Sequence, residues 1–298
     1  MGRRNKPGNL RRYGNWGYFF IAPWIIGFCM FQLYPLIQSL WISLTNSRLL
    51  GETKFVGIKN YIDIFTRDVN FPNSVKVTLM SLLIRVPLRI IIALLFAILL
   101  NANLKGIGFY RTVYYLPSIF GGSVAISVVW RFLFMRDGLV NKIIGLFGIP
   151  AYDWLGSTDT ALFIVSLVSV WQFGASMVIF LAGLKQVPEM LYEAAKIDGA
   201  NRIQRFFRIT IPQISPVLFF NIIMQTINAL QEFTIPFLIT KGGPAKSTYL
   251  LSMMIYENGF KFFKMGYASA LSWIMFLFII TISVIYFATS KYWVHYND

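Results

Sequence analysis

PEMLYEAAKIDGANRIQRFFRITIPQISP, residues 188–216, is a polar insert between two long apolar segments, and its reading sets the architecture. Pro188 suits the first turn of a helix, and Glu189 and Glu193 sit where the positive end of a helix dipole favours anions. Leu191, Ala194, Ala195 and Ile197 predict a short helix of about 10 residues with some apolar surface. Gly199 is its natural stop, because glycine enters the left-handed conformation at little steric cost. Arg202, Arg205 and Arg208 then recur every three residues among Ile203, Phe206 and Phe207. Such a segment re-enters a membrane with its cations at the headgroups and its apolar side chains inward. Pro212 opens the next apolar run.

Composition supports a membrane reading. The chain has 298 residues, 56% hydrophobic and 13% charged, where a soluble domain carries roughly 25% charge. One cysteine, Cys29, lies in an apolar run, which excludes an intramolecular disulfide and a cysteine metal cluster. The single histidine, His295, stands at the C-terminal tail and argues against a histidine-based catalytic or metal site. The net charge of +15 has two readings, headgroup anchoring by loop cations or attraction of an anionic partner or substrate.

Residues 1–12 carry Arg3, Arg4, Lys6, Arg11 and Arg12 and no acid, which predicts a cytoplasmic tail under the positive-inside rule. The apolar run after it is too long for a cleavable signal peptide and shows no small-residue cleavage site. About 20 residues cross the hydrocarbon core. On that length, spans are predicted at 16–43, 75–101, 110–134, 160–184, 212–239 and 267–289, with both termini inside. The fold class is therefore all-α: a six-span membrane domain, residues 13–298, with a cytoplasmic loop at 188–211. Residues 44–73 are expected outside, as a short folded loop or interfacial helix. The charge bias is mixed, since the loops assigned outside also carry Arg48, Lys54, Lys59, Arg67, Lys241, Lys246, Lys261 and Lys264.

The loop resembles the Glu-Ala-Ala loop of transmembrane subunits of ABC importers. The family pattern runs Glu-Ala-Ala, three residues, Gly, then Ile-x-Leu-Pro. Here it reads Glu193-Ala194-Ala195, Gly199 and Ile209-Thr210-Ile211-Pro212, with isoleucine in place of leucine. Tyr192 and Ile197-Asp198-Gly199-Ala200 are similar to the carbohydrate-uptake branch that includes the maltose importer. Ala22-Pro23-Trp24, Phe55-Val56-Gly57-Ile58-Lys59-Asn60-Tyr61 and Lys241-Gly242-Gly243-Pro244 also resemble family wording, so the likeness covers about residues 16–291. It implies the type I importer permease fold, a second permease subunit in a heterodimer, two cytoplasmic ATPase subunits and an extracellular sugar-binding protein. It further implies that the helix around Glu193, with Ala194, Ala195, Asp198 and Gly199, couples the spans to the ATPases. ATP and Mg would then sit on those partners, with no cofactor on this chain. The chain itself has no Gly-x-x-x-x-Gly-Lys-Ser/Thr loop to hold a nucleotide.

Chemistry inside the spans is sparse. Asn221, Gln225, Asn228 and Glu232 recur at steps of four, three and four, which would put them on one helical face. They suit helix–helix hydrogen bonding or a sugar-lined pathway, and both readings stand. Trp171 and Gln172 suit a packed interface aromatic and its neighbour, or a sugar platform with another amide. Arg85 and Arg89 depart from the uncharged family wording. They fit an ion pair with Glu232, contact with backbone carbonyls, or a cationic lining for an acidic sugar. An ion-coupled transporter would need acids in the spans, and Glu232 alone qualifies. A membrane enzyme such as a lipid transferase would need paired carboxylates or a histidine near the interface, and neither is present.

Overall fold

Buried residues recur every three or four positions from Phe71 to Leu100, and the rest of the chain packs on that stripe. The computed structural model describes residues 14–48, 52–102, 105–121 and 123–295, with side chains from Tyr18 onward. Helix α1 runs Gly14–Phe28, passes through a π-helical turn Cys29–Leu33 and continues as Tyr34–Ser43. Next come α2, Lys59–Thr66, and the 31-residue α3, Asn70–Leu100. The third apolar segment is α4, Ile107–Ile119, and α5, Val124–Phe134, followed by the short α6, Leu139–Gly145. The fourth is α7, Ala161–Trp171, and α8, Gly174–Leu184. The loop read first holds α9, Glu189–Ile197, and α10, Arg202–Arg205, which runs on through a π turn Phe206–Thr210. Then follow α11, Ser215–Leu230; α12, Thr234–Ile239; α13, Leu251–Tyr256; and α14, Met265–Ser290.

Helix α3 is the hub. It packs against α7, α8, α11 and α13, and α14 closes on α13, α11 and the second half of α1. Ala93 and Ala97 are fully buried, so the backbones of α3 and its neighbours approach closely there. By contrast, the first part of α1 stands off the bundle. Tyr18, Phe20, Trp24 and Phe31 are 68–78% exposed, a surface that in a membrane faces lipid or another subunit. Among the described residues, four helical segments are long and apolar enough to span, and up to six if each bent pair counts as one span.

The bends have local causes. Helices α7 and α8 meet at 49° across Gln172 and Phe173. A side chain on Gly174 would come 2.5 Å from the Tyr114 carbonyl, so only glycine lets α8 start this close to α4. Helices α11 and α12 are parted by the non-helical Gln231–Phe233.

The structure corrects several sequence expectations. The helix that carries the second expected span begins at Asn70, ahead of the expected Val75. The third is two helices, Ile107–Ile119 and Val124–Phe134, in place of one. The fifth begins at Ser215, and Pro212 belongs to the preceding turn. Residues 248–258 form a buried segment, with Thr248 and Leu250 at 0% exposure. Its apolar run is too short to register as a span. The backbone N–H of Leu251 donates to Thr78 Oγ1 at 2.9 Å, fastening α13 to α3. The basic tail, residues 1–12, lies outside the described residues.

Candidate functional site

Helix α9 is held at both ends by its own sequence. Pro188 is the N-cap residue, extended at φ −62° and ψ 130°, one position ahead of the first turn in which the sequence suggested it. Glu189 in the first turn and Lys196 in the last both match the helix dipole. Asp198 is the C-cap and Gly199 follows at φ +77°. The Gly199 N–H donates to Lys196 O at 3.2 Å and the Ala200 N–H to Ala195 O at 2.9 Å, a Schellman stop. Asn201 and Gln204 then form a reciprocal capping box, each bond 2.8 Å. The Tyr192 hydroxyl meets Thr210 Oγ1 at 2.9 Å, tying α9 to the chain that enters α11. What remains outward is one face. Met190 is 71% exposed and Ile197 88%, with the exposed Glu193 and Ala194 between them. Ala195 faces inward and is half-buried.

The second cluster lies between the broken spans. Arg85 sits on the buried stripe of α3, its side chain 3% exposed, with Nη1 3.6 Å from Glu232 Oε2. That contact is an ion pair too long for a hydrogen bond. Among the described residues Arg85 Nε, Nη1 and Nη2 have no hydrogen-bond partner. Glu232 lies in the gap between α11 and α12, where its Oε1 accepts the Ile235 N–H at 3.2 Å and so serves the start of α12. The Ser252 hydroxyl donates to the Glu232 backbone carbonyl.

Arg89, one turn along, does a different job. Its Nη2 donates to the Gln172 carbonyl at 2.6 Å, at the open C-terminal end of α7. A helix end carries unpaired carbonyls and partial negative charge, and a guanidinium answers both. Ser118 completes the joint: its hydroxyl donates to the same carbonyl at 3.3 Å and accepts the Ala175 N–H at 2.9 Å. The two arginines thus each face one broken span, Arg89 through a hydrogen bond and Arg85 through a long ionic contact.

The predicted stripe on the fifth span divides. Asn221 is buried and donates to its own helix at Val217 O, 3.1 Å away. Gln225 donates to Ser176 Oγ at 2.9 Å and joins α11 to α8. Asn228 is exposed. Glu232 leaves the helical face altogether, because α11 ends at Leu230. The structure brings Arg85, Arg89, Gln225, Asn228 and Glu232 together with Ser169 around a cavity of about 20 Å³. A water needs roughly 10–15 Å³, whereas small-molecule pockets start near 300 Å³, so the cavity is shut to a sugar. Trp171 is 36% exposed, its ring 6.0 Å from that of Trp130. The buried Gln172 contributes its backbone carbonyl and not its amide. Sequence reasoning missed Ser118, Ser169, Ser176 and Ser252, since lone serines in apolar runs carry no spacing signal.

A larger concavity, about 510 Å³, opens at the far end of α3 from α9. Polar groups from α2 and the turns around it line it, including Asn46, Asn60, Asp63 and Asp68. The Tyr267 hydroxyl closes on Asp68 Oδ2.

Residues 79–293, most of the chain, match the family described as binding-protein-dependent transport system inner membrane component. The chain belongs to that family. As a transport component of this kind it is a multi-pass membrane protein. A probable ABC transporter permease protein, YesP of Bacillus subtilis (strain 168), is 46% identical over 98% of this chain and 96% of the relative. The trehalose/maltose transport system permease protein MalF of Thermococcus litoralis is 32% identical over 93% of this chain and 94% of its own length. The lactose transport system permease protein LacF of Rhizobium radiobacter is 34% identical, over 98% and 99%. A crystal structure of a bacterial ABC transporter that imports the acidic polysaccharide alginate superposes with TM-score 0.75 at 22% identity, covering 95% of this chain and 97% of that one. The permease therefore shares the fold of ABC importer subunits.

Proposed function

We propose that this permease is the membrane-spanning subunit of an ATP-driven importer. It carries a sugar or oligosaccharide from an extracellular binding protein across a bacterial cell membrane, with both termini in the cytoplasm. The single observation that carries this reading is helix α9. It is short, closed at its C-terminal end by the Gly199 stop, fastened to the spans by Tyr192 and Thr210, and outward through a face that holds Met190, Glu193, Ala194 and Ile197 together with Glu189 and Lys196. A rigid helix with an uncovered apolar face is a docking lever. Two ATPase subunits, which bind ATP and Mg, receive it, and a second permease subunit completes the passage as a heterodimer partner. Membrane lipid covers what remains of the apolar surface, and no nucleic acid is involved. The sugar class rests on the relatives, whose names include trehalose/maltose, lactose and arabinooligosaccharide transport. The polar concavity beside Asp63 and Asp68 is then the outer seat for the binding protein.

This role makes the subunit non-catalytic. An ion-coupled transporter fits less well, because Glu232, the one acid in the predicted spans, is already paired with Arg85 and bonded to the start of α12. Co-purification tests the assignment. Wild-type permease should bring the ATPase subunits from the membrane, and Glu193→Lys should reach the membrane without them. ATPases retained in full by Glu193→Lys would refute the lever.

A further inference from the structure

The arginine cluster holds more positive charge and more hydrogen-bond donors than its protein neighbours use. Two guanidinium groups and one carboxylate line the cavity, which leaves one positive charge over. A buried arginine is costly unless its charge and its five donors are met. Arg89 is partly met, by the Gln172 carbonyl, while its Nε has no partner among the described residues. Arg85 is hardly met at all. Its side chain is 3% exposed, its one ionic contact is 3.6 Å long, and Nε, Nη1 and Nη2 make no hydrogen bond among the described residues. Arginine–carboxylate pairs frequently close in a fork of two parallel bonds of about 2.7–2.9 Å. Here Glu232 is turned aside, because its Oε1 accepts the Ile235 N–H.

We propose that Arg85 and Arg89 form a receptor for the carboxylate of an acidic sugar, with the Glu232 side chain resting beside the seat when no substrate is there. This rests on the reading of the chain as a sugar importer subunit and names the class of sugar. The planar fork of Arg85 matches a carboxylate in two bonds. Ser169, Gln225 and Asn228 line the same cavity with neutral groups that suit hydroxyls. The Ser169 hydroxyl, too, has no partner among the described residues. Asn228 is exposed and marks the side from which a ligand arrives. The cavity of about 20 Å³ is the closed state of the seat. Opening it asks little of the regular helices. Glu232 lies in the non-helical link between α11 and α12, and α7 and α8 already meet at a 49° bend. The substrate carboxylate then takes the place on Arg85 that Glu232 only half fills. Charge is conserved around the arginine, and Glu232 swings toward the exposed side.

The test uses the detergent-purified complex of the permease with its ATPase and permease partners. Trigalacturonate and trimannuronate are the acidic probes and maltotriose the neutral one, with binding read by saturation-transfer NMR and by ligand-induced thermal shift. Wild type should bind at least one uronate trimer in preference to maltotriose. Arg85→Gln should weaken that binding by roughly a hundredfold, the loss of two charge-assisted hydrogen bonds. Glu232→Gln should act in the opposite direction. It removes the resting carboxylate, so it should melt earlier than wild type, bind the uronate severalfold more tightly and regain its melting temperature with uronate but not with maltotriose. Equal binding of acidic and neutral trimers by wild type, no binding of either uronate, or no gain in Glu232→Gln would each overturn the receptor. The ATPase subunits, read on the same preparations, separate the two ideas. ATPases present without any preference for acid removes the receptor alone, and their absence removes the importer assignment itself.

Discussion

Helix α9 and the arginine cluster both set charge beside apolar surface, and they settle it in opposite ways. Helix α9 leaves Glu193 to water and satisfies its backbone within about fifteen residues of chain, through the Gly199 stop and the Asn201–Gln204 box. The cluster buries its charge and draws on α3, the joint between α7 and α8, and the link before α12, up to 147 residues apart. Helix α9 is self-contained, its C-terminal stop and the turn after it closed by their own residues. The cluster is under-satisfied, and its charge balance depends on one carboxylate in a non-helical link. The contrast teaches where each part is vulnerable: α9 in its contacts with other chains, the cluster in its own stability.

Substitutions can sharpen or break that contrast. The largest effect belongs to Glu232→Ala, which strands Arg85 in the bundle. Breaking a buried pair costs about 3–5 kcal/mol, and thermal melting of the purified permease should fall accordingly. The double variant Arg85→Met/Glu232→Met should recover most of that loss, and strict additivity would show that the two do not interact. Second comes Ile197→Asp on the outward face of α9. Its melting should stay within about 0.5 kcal/mol of wild type, as for ordinary surface changes. ATPase association should weaken by about 2–4 kcal/mol, the range of an interface anchor. A matching loss of intrinsic stability would erase the distinction between the two regions. Third, Gly199→Val forces a branched side chain into φ +77° at a cost of about 1–2 kcal/mol, with Gly199→Asn milder. Proteolysis at the end of α9 would report it. The smallest effect is expected from Gln225→Leu. Its bond to Ser176 is helix–helix glue of a kind that averages about 0.6 kcal/mol in membranes, and a melting shift well beyond that would give Gln225 a larger part in the cluster.

The same contrast explains what the sequence could tell. Helix α9, its Gly199 stop and the basic segment after it are written in neighbouring residues, so propensity and capping rules reach them. The apolar runs likewise announce themselves by length. The breaks at Gln172 and Glu232 do not, because both lie inside runs whose hydropathy suits a straight helix. What breaks the first is the close approach of α8 to Tyr114 and Ser118, a contact across 54 or more positions. Arg85 and Arg89 look equivalent in sequence, one turn apart on α3. Their different partners, a carboxylate and a carbonyl, come from which broken helix each one faces. The buried 248–258 segment is hidden for a related reason: its run is shorter than a span and draws its burial from α3 and α14.

The central claim is that ATP, acting through α9, drives import. Its most direct measurement is uptake of labelled oligosaccharide into proteoliposomes holding the permease, its partner permease and the ATPases. The binding protein is supplied on one side and ATP on the side of α9. Uptake is predicted to require both, to persist when ion gradients are collapsed, and to vanish in Glu193→Lys. Uptake that runs without ATP and follows an ion gradient would contradict the account.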